Sequence, residues 1–395
     1  MKIRIVTLGC KLNFAESSAL MNTLIAKGHT RAKQGEKADV VIVNTCTVTD
    51  TADHKDRQAI HRVKRENPNA QIIVTGCYAR LKPNEIANMI EVNHVLPKRD
   101  DIFQPAFSRD DRTRCFLKVQ DGCNYFCTYC TIPFARGRSR NPYIKDIVAQ
   151  AQQALAEGAK EIILTGVNIG DFGRSTGESF IDLLHALDNL QSATCNLQSD
   201  YRIRISSCEP NLLTDEIIDF VAHSRHFAPH FHIPLQSGNN EVLKIMHRHY
   251  TRELFQERIE HIKAVMPNAF IGVDCMVGVR GETQERFDDY VQFIFALPVS
   301  QLHVFTYSER ANTRMLEMDL YVVPQHERER RSKVLHTISE HKLADFYAQH
   351  KGQTMTVLWE SKKDGDKMYG FSENYIKVAG PYDRTKINTF EQITY

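Results

Sequence analysis

No stretch of this 395-residue chain is apolar for anything near the roughly 20 residues of a membrane span, so membrane partners are not expected. The opening "MKIRIVTLGC" reads as a strand and lacks the cleavage pattern of a secretory signal; a cytoplasmic location is the expectation. Charge of one sign is lacking too. Fifty Lys and Arg stand against 48 Asp and Glu, a formal net charge of +2, so a surface for a polyanion has to be local. Low-complexity tracts and short-period repeats are absent. The hydrophobic share of 42% and charged share of 25% are those of an ordinary soluble globular protein. The length suits two or three domains. Ten cysteines remain to be explained. In a reducing compartment they serve as ligands, redox groups or core fillers sooner than as disulfides.

Residues 1–110 alternate short apolar strands with helical patterns: "IRIVTLG" before a helix over 17–27, "DVVIVNT" before one over 52–66, and "AQIIVTG" before one over 83–91. Such alternation predicts a parallel sheet covered on both faces. Residues 111–347 repeat it on a larger scale, with strands "CFLKVQ", "EIILTG", "RIRISS", "HFHIPLQ", "FIGVDCMVG" and "LHVFTYS". Helices intervene, among them 144–157, 212–222 and 283–296. Six β/α units predict a partial barrel rather than a closed eight-stranded one. A long charged helix around "PQHERERRSKVLHTISEHKLADFYAQH" ends this part. Residues 348–395 are β-rich, broken by "DGD" and "GP", and predict a small antiparallel barrel. The fold class is α/β.

"CNYFCTYC" places Cys123, Cys127 and Cys130 in a C-x3-C-x2-C pattern. Structural zinc takes four ligands and a disulfide two. Three crowded thiolates suit a [4Fe–4S] cube with one iron left open for a small molecule. The loop follows the first barrel strand, at the C-terminal mouth where such barrels hold their sites. The plain alternative is zinc with a distant fourth ligand. A second set is quieter. The three strands of the first part end in "TLGC", "VNTC" and "VTGC", so Cys10, Cys46 and Cys77 share one offset. Neighbouring strands lie about 4.8 Å apart, and that edge is where open α/β sheets bind ligands. Three buried cysteines acting as small hydrophobes is the alternative; it leaves the shared offset unexplained.

The spacing of Cys123, Cys127 and Cys130, with Tyr129 before the last cysteine, resembles the signature of radical S-adenosylmethionine enzymes. The resemblance implies that the open iron chelates S-adenosylmethionine, whose reductive cleavage gives a 5'-deoxyadenosyl radical. Two cysteine sets in this order resemble the methylthiotransferase family over nearly the whole chain. The matching segments are "LGCKLNFAES", "VNTCTVTDTAD", "VTGCYA", "QDGCNYFCTYCTIPFARGRSR" and "HIPLQSGNNEVLKIMHRHYT", and the tail looks like a TRAM RNA-binding domain. The family implies two [4Fe–4S] clusters. The one on Cys10, Cys46 and Cys77 would carry sulfur. The one on Cys123, Cys127 and Cys130 would cleave S-adenosylmethionine, two molecules of which are used per turnover. It also implies an electron donor such as flavodoxin or ferredoxin, and a sulfur source.

Family members modify adenosine derivatives beside the tRNA anticodon or an aspartate of a ribosomal protein. "GCKLN" with "QDGCNYFCTYC" most resembles the branch acting on N6-threonylcarbamoyladenosine, at C2 of adenine, in an anticodon stem–loop carrying t6A37. The isopentenyladenosine branch usually has glutamine and methionine where this chain has Lys11 and Leu12. Six basic residues against one acid over 112–142 suit phosphates, with Arg136, Arg138 and Arg140 expected at the mouth. In the tail, aromatics interleave with lysines such as Lys362 and Lys363. That pattern stacks bases and holds phosphates, although seven basic residues there face six acidic ones.

S-adenosylmethionine is expected across the strand ends, near the backbone around Tyr129, at Thr165 and Gly166, and within reach of Ser206 and Gln236; loop capping is the alternative role for these. Two segments depart from the family. "GVRGET" has Val279 and Arg280 for Phe-Pro, and "YSERANT" has Ala311 and Asn312 where proline and glycine are usual. The four histidines of "HSRHFAPHFH" read as core or mouth residues, and Cys115, Cys195, Cys208 and Cys275 as structural. A zinc-dependent RNA-modifying enzyme and an RNA-binding adaptor are the rival classes.

Overall fold

A computed structural model describes residues 1–33, 35–97, 103–108, 113–190 and 200–395. Cys195 lies outside these residues, as does Arg112.

The first layer is a five-stranded parallel sheet, with β1 (Lys2–Thr7), β2 (Thr30–Arg31), β3 (Val40–Thr45), β4 (Gln71–Gly76) and β5 (His94–Pro97) in the order β2-β1-β3-β4-β5. β3, at its centre, is buried at every residue, as a strand covered on both faces requires. The three expected strands are present, and two short edge strands join them. Helix Lys11–Ala26 begins directly after Cys10, six residues before the expected start. Leu12 and Ala15 are buried along with Ser17 and Ser18, so the inward face reaches back into "KLNF". Helix Asp50–Glu66 is capped by Thr49, whose side chain accepts the Ala52 N–H. Acids in its first turn and bases in its last oppose the helix dipole favourably.

Six further strands follow: β6 (Arg114–Lys118), β7 (Glu161–Thr165), β8 (Arg202–Ile205), β9 (His230–Gln236), β10 (Phe270–Val277) and β11 (Gln301–Thr306). They pair in parallel as β6-β7-β8 and β9-β10-β11. Parallel bridges Ile203–Phe227 and Ser207–His232 join the two halves. The outer face, with Leu117, Ile162, Leu164, Ile203, Ile233 and Val273, packs on the surrounding helices as one core. Among the described residues β11 does not pair with β6, so the barrel is open. The first layer reaches across this opening. On the β6 side, Ala15 packs with Phe116 and Ile163, and Glu16 pairs with Lys118 at 3.0 Å. On the β11 side, the buried Arg310 donates to Thr47 Oγ1 (2.8 Å) and Asp53 Oδ2 (2.8 Å) and pairs with Asp50.

The tail forms β12 (Thr354–Asp364), β13 (Lys367–Phe371), β14 (Lys377–Pro381) and β15 (Phe390–Thr394), antiparallel in the order β14-β13-β12-β15. It is the expected small antiparallel barrel, in the form of a curled half-barrel. It seals the end of the large barrel opposite the cysteine loop. Arg114 pairs with Glu360 (2.7 Å), Arg202 donates to Thr356 O (2.7 Å) and Arg204 to Glu373 O (3.2 Å). His230 lies against Tyr375 and stacks on Phe270. Among the described residues no helix is long and apolar enough to cross a membrane.

Candidate functional site

Each cysteine of the first set sits where its strand gives out. Cys10 caps helix Lys11–Ala26, Cys46 follows β3, and Cys77 opens helix Cys77–Leu81 directly after β4. Glycines make the close approach feasible. Gly9 has φ 95°, and a Cβ there would stand 2.7 Å from the Cys46 Cβ and 3.0 Å from its sulfur. Gly76 has φ 103°, with no room beside Thr45. Asn13 fastens the edge by donating to Leu8 O (2.8 Å) and Thr45 O (3.1 Å). Cys46 senses the other two: its pKa is pushed up to about 12, first by burial and then by the nearby Cys77 and Cys10.

The second set is held by its own loop. Gly122, at φ 71°, passes so close to Arg138 O that a Cβ would overlap it. Each sulfur has an N–H donor. Tyr125 N–H donates to Cys123 Sγ (3.5 Å), Ile132 N–H to Cys130 Sγ (3.5 Å), and Arg248 Nη1 to Cys127 Sγ (3.1 Å). Burial raises Cys123 to about 11 and Cys130 to about 12, and Cys127 adds to both. Free thiolates are thus disfavoured here, and a positively charged metal centre reverses that balance. Among the described residues no three His, Cys, Asp or Glu side chains are grouped as a single metal ion would require. Three thiols in each set, with N–H donors at every sulfur of the second, do fit the ligand chemistry of an iron–sulfur cluster.

Arg136 closes helix Ile132–Arg136, which follows Cys130 and packs on helix Cys77–Leu81. It is buried, donates to Asn13 Oδ1 (2.6 Å), and pairs with Asp121 (3.0 Å) and Glu16 (3.1 Å). Burial opposes its charge, and Cys77, Glu16, Asp121 and Cys10 sustain it. The edge of the first set therefore lies against the segment that follows the second set. Arg136 is corrected as an RNA contact, because its guanidinium is enclosed. Arg140 is similarly engaged with Asp121 (3.1 Å) and two backbone carbonyls. Lys118 and Arg114, also part of the basic excess, are paired internally. Arg138 alone of the five described is exposed, its guanidinium 5.4 Å from the Phe126 ring. Phe126 and Phe134, 39% and 48% exposed, meet edge to face. Lys362 and Lys363 are exposed on β12, at the far end.

The expected cofactor contacts differ among themselves. Tyr129 is half-buried, its hydroxyl accepting from Arg248 Nη1 (3.3 Å). Thr165 is buried and its hydroxyl returns to Ile163 O (3.0 Å), a strand-end cap. Gly166 lies against Gln120, whose Oε1 accepts the Val167 and Asn168 N–H groups. Ser206 is buried beside the Ser207–His232 bridge. Gln236 stands apart. Its φ is 62° and its Oε1 is buried without a hydrogen-bond partner among the described residues.

The departures are absorbed locally. Val279 is fully buried in the cluster that holds Tyr129, and Arg280 pairs with Glu309 (3.0 Å). Asn312 takes φ 64°, which asparagine tolerates in place of glycine. His223, His226, His230 and His232 do not converge: His226 stacks on Tyr201, and His232 pairs with Asp274 (2.7 Å). Cys115, Cys208 and Cys275 are buried. Missed altogether were Arg248, Glu209, Gln120 and Arg310. Gln120 and Arg248 at least lie in matching segments, whereas Glu209 and Arg310 carry no such signal.

Residues 117–294 match the Radical SAM superfamily, and residues 2–97 match the uncharacterized protein family UPF0004. The fold is shared with the radical S-adenosylmethionine methyltransferase TsrM from Kitasatospora setae (TM-score 0.54, 14% identity, 77% of this chain and 74% of that one). With this barrel and its mouth, the protein is a radical S-adenosylmethionine enzyme. Threonylcarbamoyladenosine tRNA methylthiotransferase MtaB of Bacillus subtilis is 36% identical over 94% of this chain and 89% of its own. The protein of the same name from Aquifex aeolicus is 34% identical over 96% of each. A tRNA-2-methylthio-N(6)-dimethylallyladenosine synthase of Carboxydothermus hydrogenoformans is 29% identical, covering 97% of this chain and 91% of that one. The chain belongs to the radical S-adenosylmethionine methylthiotransferase family, enzymes that transfer a sulfur-containing group. Family membership carries with it one [4Fe–4S] cluster and S-adenosylmethionine.

Proposed function

We propose that this enzyme converts N6-threonylcarbamoyladenosine beside the tRNA anticodon to its 2-methylthio derivative. The observation that carries the reading is the near full-length similarity to methylthiotransferases named for that nucleoside. Cys123, Cys127 and Cys130 hold one cluster; Cys10, Cys46 and Cys77 hold a second. When bound, the two supply an electron for cleaving S-adenosylmethionine and a sulfur for transfer. The chain's own residues do the rest. Gln236 offers its unpartnered Oε1 to S-adenosylmethionine, Tyr129 and Gly166 line the approach with backbone, and Thr165 and Ser206 keep the strand ends in place. Arg136 fixes the distance between the two edges. Arg138, Phe126 and Phe134 give the mouth a cation beside exposed aromatics, suited to a phosphate and a stacked base.

In this reading the chain divides at 1–110, 111–347 and 348–395. The tail acts as a TRAM domain, with Lys362 and Lys363 on RNA. The enzyme is cytoplasmic, takes electrons from a flavodoxin or ferredoxin, and depends on an external sulfur source. Mass spectrometry of tRNA nucleosides from a deletion strain tests the substrate. Loss of methylthio-threonylcarbamoyladenosine is expected. Loss of the methylthio-isopentenyl nucleoside instead would favour the second reading, supported by relatives at 29–30% identity named for dimethylallyladenosine.

A further inference from the structure

Arg248 touches one of the six thiols directly and is delivered there by an unusual helix end. Helix Asn240–Ile245 runs out at His247, whose φ of 55° is left-handed without being glycine. The Arg248 N–H returns to Leu243 O (2.9 Å). Thr128 fastens the cysteine loop to the same helix end, its N–H on Met246 O (3.2 Å) and its hydroxyl on Ile245 O (2.8 Å). The Arg248 side chain is 3% exposed, and all three nitrogens are engaged. Nη1 donates to Cys127 Sγ (3.1 Å) and Tyr129 Oη (3.3 Å), Nε donates to Tyr250 Oη (3.0 Å), and Nη2 donates to the Glu209 carboxylate. A guanidinium does not lose its proton in such a place. A fixed positive charge therefore rests on a thiol sulfur, with a half-buried carboxylate behind it.

We propose that Arg248, counterbalanced by Glu209, sets the reduction potential of the cluster held by Cys123, Cys127 and Cys130. This rests on the ligand reading above. Arg248 acts through Cys127 and is a positioning residue, not a catalytic one. Reduction adds one electron and so one negative charge to the cluster. A cation hydrogen-bonded to a ligand sulfur stabilises the more negative state; an anion destabilises it. Potentials of such clusters follow net charge and hydrogen bonds to sulfur, and burial leaves little solvent to screen either charge.

The test uses the full-length chain with Cys10, Cys46 and Cys77 changed to alanine, so that one cluster remains. Iron is counted first. The chain is then titrated anaerobically with titanium(III) citrate, which gives up one electron as the cluster takes one, and the paramagnetic reduced cluster is followed without S-adenosylmethionine. Arg248→Gln is expected to lower the reduced-to-oxidised ratio at a fixed potential about tenfold, a downward shift of about 59 mV for one electron. Arg248→Lys is expected to recover most of it, and Glu209→Gln to move the potential upward. Shifts of the same sign in Arg248→Gln and Glu209→Gln would mean loosened packing and overturn the assignment, as would no shift in either. Should Arg248→Gln fail to retain iron, Glu209→Gln decides alone, an unmoved potential being fatal. Absence of iron in the parent chain would sink the ligand reading itself, recognisable before any titration.

Discussion

Cys46 lies against Gly9, with Cys77 and Cys10 near its thiol. Cys46→Ala should leave reductive cleavage of S-adenosylmethionine intact and abolish methylthio transfer, whereas Cys123→Ala should stop both. Chromatography of 5'-deoxyadenosine beside product analysis separates the two roles; equal loss of cleavage in both variants, with folding intact, contradicts them. Gly9→Ala has to adopt a left-handed backbone against the Cys46 side chain. A cost of about 1–2 kcal/mol is expected from the backbone alone, seen as a lower unfolding midpoint. At the mouth, Phe126→Ala should weaken binding of an anticodon stem–loop by about 1–3 kcal/mol without changing iron content. The six thiols were readable from their offsets, since strand ends and motif spacing are local signals. Arg136 was not. Its basic neighbourhood suggested phosphate, but its partner Glu16 lies 120 residues away, and pairing across that distance leaves no mark on the local sequence. Arg248 escaped for the same reason, lying 121 residues from Cys127.

At the scale of elements, two buried arginines join the first layer to the barrel, and one histidine marks the junction with the tail. Arg310→Ala would leave Asp53 buried without its guanidinium. Breaking a buried pair in this way costs about 3–5 kcal/mol, and the segment from Thr47 to Asp53 should exchange its amide hydrogens faster. His230 is buried between Phe270 and Tyr375, and burial holds its pKa well below 6.5, with Arg204 and His232 adding to the effect. A histidine depressed in the fold contributes stability that is complete above its unfolded pKa. As pH falls below about 6.5 the unfolded chain takes up a proton that the folded one refuses. The loss approaches 1.4 kcal/mol per pH unit. Melting curves between pH 7 and pH 5 should show this slope, and His230→Phe should flatten it. The main strands were legible from their apolar runs. The short β2 and β5 were not, since two and four residues carry too little pattern. The tail's strands and turns were legible from alternation, which does not report how far the sheet curls.

Across the whole molecule, the exposed lysines of β12 and the cysteine mouth lie at opposite ends of the large barrel. An RNA that meets both has to run along its length. Changing Lys362 and Lys363 to alanine should weaken tRNA binding and lower its salt dependence by about two phosphate contacts, while cleavage of S-adenosylmethionine alone continues. The account as a whole requires two metal centres facing one mouth. Iron and acid-labile sulfide, measured after anaerobic reconstitution, address this directly. About eight irons are expected in the native chain, and about four when either cysteine set is replaced by alanine. Four irons in the native chain, unchanged when Cys10, Cys46 and Cys77 are removed, would contradict it.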